Sequence, residues 1–189
     1  SNWISFLDAD EFICPKYKNN INDWLKDFDK YPGVMINWIL FGTSGKLVHD
    51  YNQNVIEQYT SAWDHFYVRG KCILNTRYDI SNSDTWYMHH HTYLFRKICG
   101  LKISLPCVNQ FGYICPVINM WGGGSDPVRK STIQINHYFM KAWDIFDQKR
   151  NKTDVLFVNN PKKDYGYIAD KEEACITKDY TIQRFLVRM

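Results

Sequence analysis

The chain has 189 residues, of which 45% are hydrophobic and 23% are charged, so it can bury one sizeable core and we expect a single domain over residues 1–189. The net charge of +3 is too small to indicate a nucleic-acid partner, and no block of Lys and Arg alternates with the aromatic residues. We expect no transmembrane helix and no secretory signal, because no apolar segment has the required length or pattern. Six scattered cysteines lack any Cys-x-x-Cys pair, which favours free thiols and a cytoplasmic location.

The first predicted element ends in three acidic residues. Apolar residues in the segment Trp3–Phe12 predict a largely buried strand, and Asp8, Asp10 and Glu11 follow at its carboxyl end. In open α/β sheets, ligands bind beyond the carboxyl ends of the strands. Two aspartates separated by one small residue can direct both carboxylates to one Mg²⁺ or Mn²⁺, which could neutralise a diphosphate leaving group. The simpler interpretation is a strand followed by an acidic turn.

A short amphipathic helix is predicted next, over residues 21–30, with Asn20 or Asn22 as its amino-terminal cap. Pro32 and Gly33 end this helix. The helix would bury one apolar face against the core.

A strand over residues 34–41 leads into a loop of small residues, Gly42–Gly45. The backbone amides of this loop, together with the hydroxyls of Thr43 and Ser44, could bind a donor or acceptor hydroxyl group. The alternative is a tight turn that requires a positive φ at glycine.

The rest of the chain is predicted to consist of short elements and loops. Residues 47–60 have an irregular pattern, and the later elements are strands over 71–78, 86–94, around 103–108 and 133–138, a loop over 122–127, a helix over 140–149, a polar loop over 150–175 and a terminal helix over 176–187.

Three blocks of the sequence resemble one family of enzymes. Trp3–Phe12 resembles the Asp-x-Asp strand of nucleotide-sugar glycosyltransferases with the GT-A fold, in the Trp-x-x-Phe-Leu-Asp-x-Asp-Glu-Phe form of the bacterial family 2-like and family 92 enzymes. Asn37–Lys46 resembles the second block of that family, and Gln134–Trp143 resembles the third, Asn-His-Tyr followed by a helix. The blocks occur in the family's order and with similar spacing.

This resemblance implies an α/β fold, namely a partial GT-A (Rossmann-like) mixed sheet flanked by helices. The amino-terminal nucleotide-binding half, normally placed before the Asp-x-Asp strand, would be missing. The resemblance also implies transfer of a sugar from a nucleoside-diphosphate sugar to a carbohydrate acceptor, in polysaccharide or lipopolysaccharide assembly. Mn²⁺ or Mg²⁺ would be the cofactor, and the acceptor would bring about peripheral membrane association.

The resemblance also assigns residues to the donor site. Asp8, Asp10 and His137 would hold the metal ion and the diphosphate. The expected substrate-binding residues are Glu11, which would bond to backbone amides behind the ion, the loop residues Gly42, Thr43 and Ser44, and Lys141, placed one helical turn after His137. The family usually has histidine where this chain has Lys46, so no role is carried over to that position.

The general base that an inverting transfer needs is left open among three acids. Asp126 follows a Trp-Gly-Gly-Gly-Ser segment that is similar to the acceptor loop of some galactosyltransferases. Asp64 lies between aromatic residues, and Glu57 is the third candidate.

Two other functions are open from the sequence. The high content of aromatic residues would suit a non-catalytic carbohydrate-binding or interaction domain. Asp8 could also be the nucleophile of a metal-dependent phosphohydrolase, which would need a partner lysine that the sequence does not identify. The triplet His89–His91 is interpreted as core or surface histidines rather than as a metal cluster.

Overall fold

The computed structural model describes residues 2–78, 94–98, 101–105, 107–115, 130–151 and 165–188. These residues contain a mixed sheet flanked by helices, so the predicted α/β class is confirmed. The chain divides into two compact units, which comprise Ser1–Ile39 with His65–Asn136, and Leu40–Asp64 with His137–Met189.

The secondary structure consists of short elements. The strands are β1 (Trp3–Ser5), β2 (Glu11–Pro15), β3 (Gly33–Leu40), β4 (Ser61–Ala62), β5 (Gly70–Asn75), β6 (Leu94–Ile98), β7 (Leu101–Leu105), β8 (Val108–Asn109), β9 (Ile133–His137) and β10 (Thr177–Lys178). The α-helices are α1 (Ile21–Leu25), α2 (Val55–Gln58), α3 (Trp143–Asn151) and α4 (Tyr165–Glu173), and 3₁₀ helices cover Lys26–Phe28 and Thr181–Arg188.

The main sheet has the strand order β1-β5-β3-β9-β2, and β8 also pairs with β3. Strand β5 is antiparallel to both β1 and β3, whereas β8 is parallel to β3, so the sheet is mixed. Every residue of β3 and β5 is buried. Near-continuous apolar sequences of this kind are typical of strands that are covered on both faces, and they place the core on the two central strands.

Strand β1 differs from its prediction. It ends at Ser5 and forms an edge of the sheet, paired antiparallel with β5. Ile4, Phe6 and Leu7 are 40%, 47% and 41% exposed, so the prediction of a largely buried strand is wrong. A short apolar run does not distinguish a central strand from an edge strand, because that difference depends on partners that are distant in sequence. The argument from carboxyl ends of parallel strands therefore does not apply to β1.

Helix α1 begins where the sequence predicts. The side chain of Asn20 accepts a hydrogen bond from the backbone N–H of Asp23 at 2.9 Å, so Asn20 rather than Asn22 is the cap. Trp24, Leu25 and Phe28 are buried, as the amphipathic pattern predicts. The α-helix is shorter than predicted, because its last turn tightens into a 3₁₀ helix.

The structure of the second unit differs from three predictions. Helix α3 begins at Trp143 rather than at residue 140, and Lys141 precedes it with a φ of 56°. The predicted polar loop over 150–175 contains α4, whose single buried residue, Ile168, gives the helix only a weak apolar pattern. The predicted terminal helix consists of β10 and a 3₁₀ helix.

Several predictions lie outside the described residues, namely all but the last residue of the strand over 86–94, the triplet His89–His91, the loop over 122–127 and Asp126. The described cysteines carry free thiols, and all of these except Cys175 are buried. Within the described part of the chain, no helix is both long and apolar enough to cross a membrane.

Candidate functional site

The acidic residues after β1 form a closed turn. The backbone N–H of Glu11 donates to the carbonyl oxygen of Asp8 at 3.0 Å, which leaves Ala9 and Asp10 as the central residues of the turn. The Glu11 carboxylate then accepts a hydrogen bond from the backbone N–H of Asp8 at 3.0 Å. These two bonds fix the backbone of the acidic turn, Asp8–Glu11. The prediction that Glu11 bonds to a backbone amide is confirmed.

Lys71 lies against this turn. It belongs to the buried strand β5, it is 1% exposed, and its Nζ is 3.0 Å from Oδ2 of Asp8 and 3.5 Å from Oε2 of Glu11. Its Nζ also lies 6.0 Å from the centre of the Trp38 ring. A fully buried lysine is rare unless it is paired with an acid, and here the acids are those of the turn.

The two carboxyl groups that contact Lys71 have different environments. The Asp8 side chain is 66% exposed, whereas the Glu11 side chain is fully buried. Burial raises the pKa of Glu11 from 4.5 to about 7, although the Asp8 amide and Lys71 act in the opposite direction. Among the residues that the structure describes, no donor reaches Oε1 of Glu11, which is consistent with this desolvation.

The acidic turn fits a divalent ion that keeps most of its own water. Mg²⁺ and Mn²⁺ are commonly held by one or two carboxylates together with substrate phosphates. Asp8 offers such a ligand, because its side chain is 66% exposed although Oδ2 pairs with Lys71, and Asp10 is half-buried in the same turn. In the described ranges, no group of three or more His, Cys, Asp or Glu side chains is arranged to hold a metal. The turn therefore fits a loosely bound ion better than a closed structural site.

His137 lies at the end of β9 and belongs to the second unit. Its side chain is half-buried, its ring centre is 5.7 Å from that of Phe139, and its carbonyl oxygen accepts a hydrogen bond from the backbone N–H of Phe41. Its role as a metal ligand stays a prediction.

The loop Gly42–Gly45 is a tight turn stabilised by α4. The N–H and hydroxyl of Thr43 donate to the Glu172 carboxylate at 2.8 and 2.7 Å, and Oγ of Ser44 accepts hydrogen bonds from the N–H groups of residues 60 and 61. Gly45 has a φ of 78°, as the turn interpretation predicts. These groups already have partners within their own unit, so the observed bonds favour a structural loop.

The remaining candidates are spread over the second unit. Lys141 is half-buried and precedes α3, so it does not follow His137 by one helical turn. Glu57 is exposed and closes the capping box of α2 with Asn54, which gives it a structural role. Asp64 is exposed.

Lys71 contacts the acidic turn, and sequence reasoning missed it. The available signal was a single charged residue in the apolar strand Gly-Lys-Cys-Ile-Leu, where a buried lysine requires an acidic partner. The sequence did not identify that partner, because Asp8 and Glu11 are about sixty residues away.

Comparison of the sequence with protein-family models gives no match, and comparison with curated proteins gives no significant match.

Proposed function

We propose that the protein is a metal-dependent glycosyltransferase that moves a sugar from a nucleoside-diphosphate sugar to a carbohydrate acceptor. The observation that carries the proposal is the acidic turn Asp8–Glu11, which presents an exposed carboxylate on a backbone closed by two hydrogen bonds. In support, the three blocks that resemble the family fall on β1 with β2, on β3 and on β9, and the strands β3, β9 and β2 are neighbours in the sheet. The free cysteines support a cytoplasmic location.

In this proposal, neighbouring side chains hold in place the carboxylates that would bind the metal ion. Lys71 fixes one oxygen of Asp8, while the other oxygen and the carboxylate of Asp10 are the ligands offered to Mn²⁺ or Mg²⁺. Such an ion would neutralise charge on a departing nucleoside diphosphate. The buried Glu11 carboxyl stabilises the backbone of the turn and so keeps Asp8 in place.

Loss of either aspartate should weaken Mn²⁺ binding. With uridine diphosphate present, we expect Asp8→Asn and Asp10→Asn each to lower the affinity for Mn²⁺ by at least about tenfold, because each removes a charged oxygen ligand. Electron paramagnetic resonance of free Mn²⁺ during a titration measures this affinity. Asp27→Asn is the matched control, since Asp27 is an exposed aspartate on the 3₁₀ helix after α1. Equal affinities in wild type and both turn variants would refute the metal assignment.

The contact between Lys71 and Asp8 also favours a second candidate function. A lysine 3.0 Å from an exposed aspartate is what a phosphohydrolase with Asp8 as its nucleophile requires. We place it second, because the three blocks that resemble the glycosyltransferase family support only the first function.

A trapping experiment separates the two functions. If Asp8 is a nucleophile, incubation with Mg²⁺ and acetyl phosphate should leave a phosphoryl group on the peptide containing Asp8, and Asp8→Asn should abolish it. The glycosyltransferase proposal predicts an unmodified peptide in both proteins. Mass spectrometry after rapid acid quenching provides the measurement, and the peptide containing Asp27 is the internal control.

A further inference from the structure

Lys71 places its ammonium group where a divalent ion would bind. We propose that Lys71 is a resident counter-cation of the acidic turn, which competes with a divalent ion for Asp8 and keeps the affinity of the turn for that ion low. This inference rests on the proposed function, because it concerns the same site, and it concerns how that site is regulated.

The position of the Lys71 charge is fixed by burial. The residue is 1% exposed, and β5 is paired on both sides, with β1 and with β3. Its Nζ contacts the carboxylates of Asp8 and Glu11, and Glu11 is itself fully buried. The ammonium group therefore cannot move into solvent without breaking buried contacts, so an ion that reaches Asp8 must bind beside it.

Two opposite effects of removing this charge can be compared. Because Nζ is 3.0 Å from Oδ2, an ion bound to the Asp8 carboxylate would lie within about 7 Å of Nζ, and Coulomb repulsion at that distance lowers its affinity by about sevenfold or more even at the dielectric constant of water. Inside the partly buried site the factor is larger. Lys71 also helps to orient Asp8, and loss of such a partner can cost affinity. That cost is reduced here, because two hydrogen bonds hold the backbone of the turn without the lysine.

The repulsion between Lys71 and the ion therefore changes the affinity more than the orientation of Asp8 by Lys71 does. Lys71 consequently weakens the binding of an ion that arrives without a diphosphate. A diphosphate brings negative charge that offsets the repulsion, and the charge of Lys71 then adds to that of the ion. The site would consequently favour the ion together with a diphosphate over the ion alone, and the ion would leave with the product.

The test is the affinity for Mn²⁺ alone, measured from the resonance signal of free Mn²⁺. We expect Lys71→Met to raise the affinity at least about tenfold, whereas Lys71→Arg, which keeps the charge, should stay within about threefold of wild type. Lys26→Met is the matched control, because Lys26 also pairs with an aspartate, Asp23 at 2.8 Å, but on an exposed helix. Damage to the fold would lower the affinity, so a purely structural role cannot produce the expected rise.

A second pair of proteins covers the case in which Lys71→Met fails to fold. Glu11→Gln with and without Lys71→Met makes the same comparison without a buried carboxylate left unpaired. Equal or weaker binding after Lys71→Met, in whichever background folds, would overturn the inference and leave the proposed metal site standing. Failure of every protein to bind Mn²⁺, with or without uridine diphosphate, would overturn both.

Discussion

Gly70→Ala should destabilise the protein severely, by about 4 kcal/mol or more in the free energy of unfolding. Gly70 is the first residue of β5 and pairs with Asn37 of β3. A Cβ built on Gly70 would overlap the carbonyl oxygen of Ile36 and would lie 2.7 Å from its carbonyl carbon. Backbone atoms of a central strand cannot move aside as a flexible side chain can. The strands β3 and β5 would have to separate in the middle of the core.

Gly45→Ala is the matched control for this prediction. Gly45 has a φ of 78° but no atom within 4 Å of a built Cβ, so alanine there meets backbone strain without a clash. We expect a loss of about 1 to 2 kcal/mol for the control. Urea unfolding followed by tryptophan fluorescence measures both losses. A loss for Gly70→Ala no larger than that for Gly45→Ala would mean that β3 and β5 are less closely packed at this point.

Local patterns in the sequence were sufficient for the elements that depend on local chemistry. The apolar runs of β3 and β9 predicted both strands to within two residues at each end. Asn20 was identified as a candidate cap because its short amide can accept a hydrogen bond from an N–H in the first turn. Each of these features is decided by residues that lie within a few positions of one another.

Features that depend on distant partners were not predicted. The edge position of β1 is set by its pairing with β5, about seventy residues later. The contact of Lys71 with Asp8 spans 63 residues, and only the folded sheet brings the two together. Helix α4 was missed for a different reason, since with Ile168 as its single buried residue it shows little amphipathic contrast against its polar neighbours.

In the candidate site, too, the features set by neighbouring residues were predictable and those set by distant residues were not. The sequence identifies the acids of the turn because they lie within four positions of one another, and it predicts the hydrogen bond from a backbone amide to Glu11. The charge balance of the turn was not predicted, because it depends on Lys71 and on the burial of Glu11. That balance decides how strongly the turn attracts a cation, and it can be measured through the stability of the metal-free protein.

The stability of the metal-free protein should therefore fall as the pH rises from about 4.5 to about 7. Burial raises the pKa of Glu11 to about 7, against 4.5 for an ordinary glutamate, so in this interval the unfolded chain loses a proton that the folded protein keeps. The unfolded state is then favoured by about 1.4 kcal/mol for each pH unit, and the loss levels off above pH 7 at about 3 kcal/mol. Below pH 4.5 Glu11 is protonated in both the folded and the unfolded state, so its titration no longer destabilises the folded protein.

Comparison with Glu11→Gln isolates this effect from other titrating groups, because glutamine can still accept the hydrogen bond from the Asp8 amide. With EDTA present, we expect the free energy of unfolding of the variant, relative to wild type, to rise by about 3 kcal/mol between pH 4.5 and pH 8. Glu57→Gln is the control, since Glu57 is exposed and glutamine can also close its capping box. Parallel curves for Glu11→Gln and wild type would contradict the prediction. They would mean that Lys71 keeps Glu11 ionised throughout, and the turn would then carry a further negative charge to offer a divalent ion.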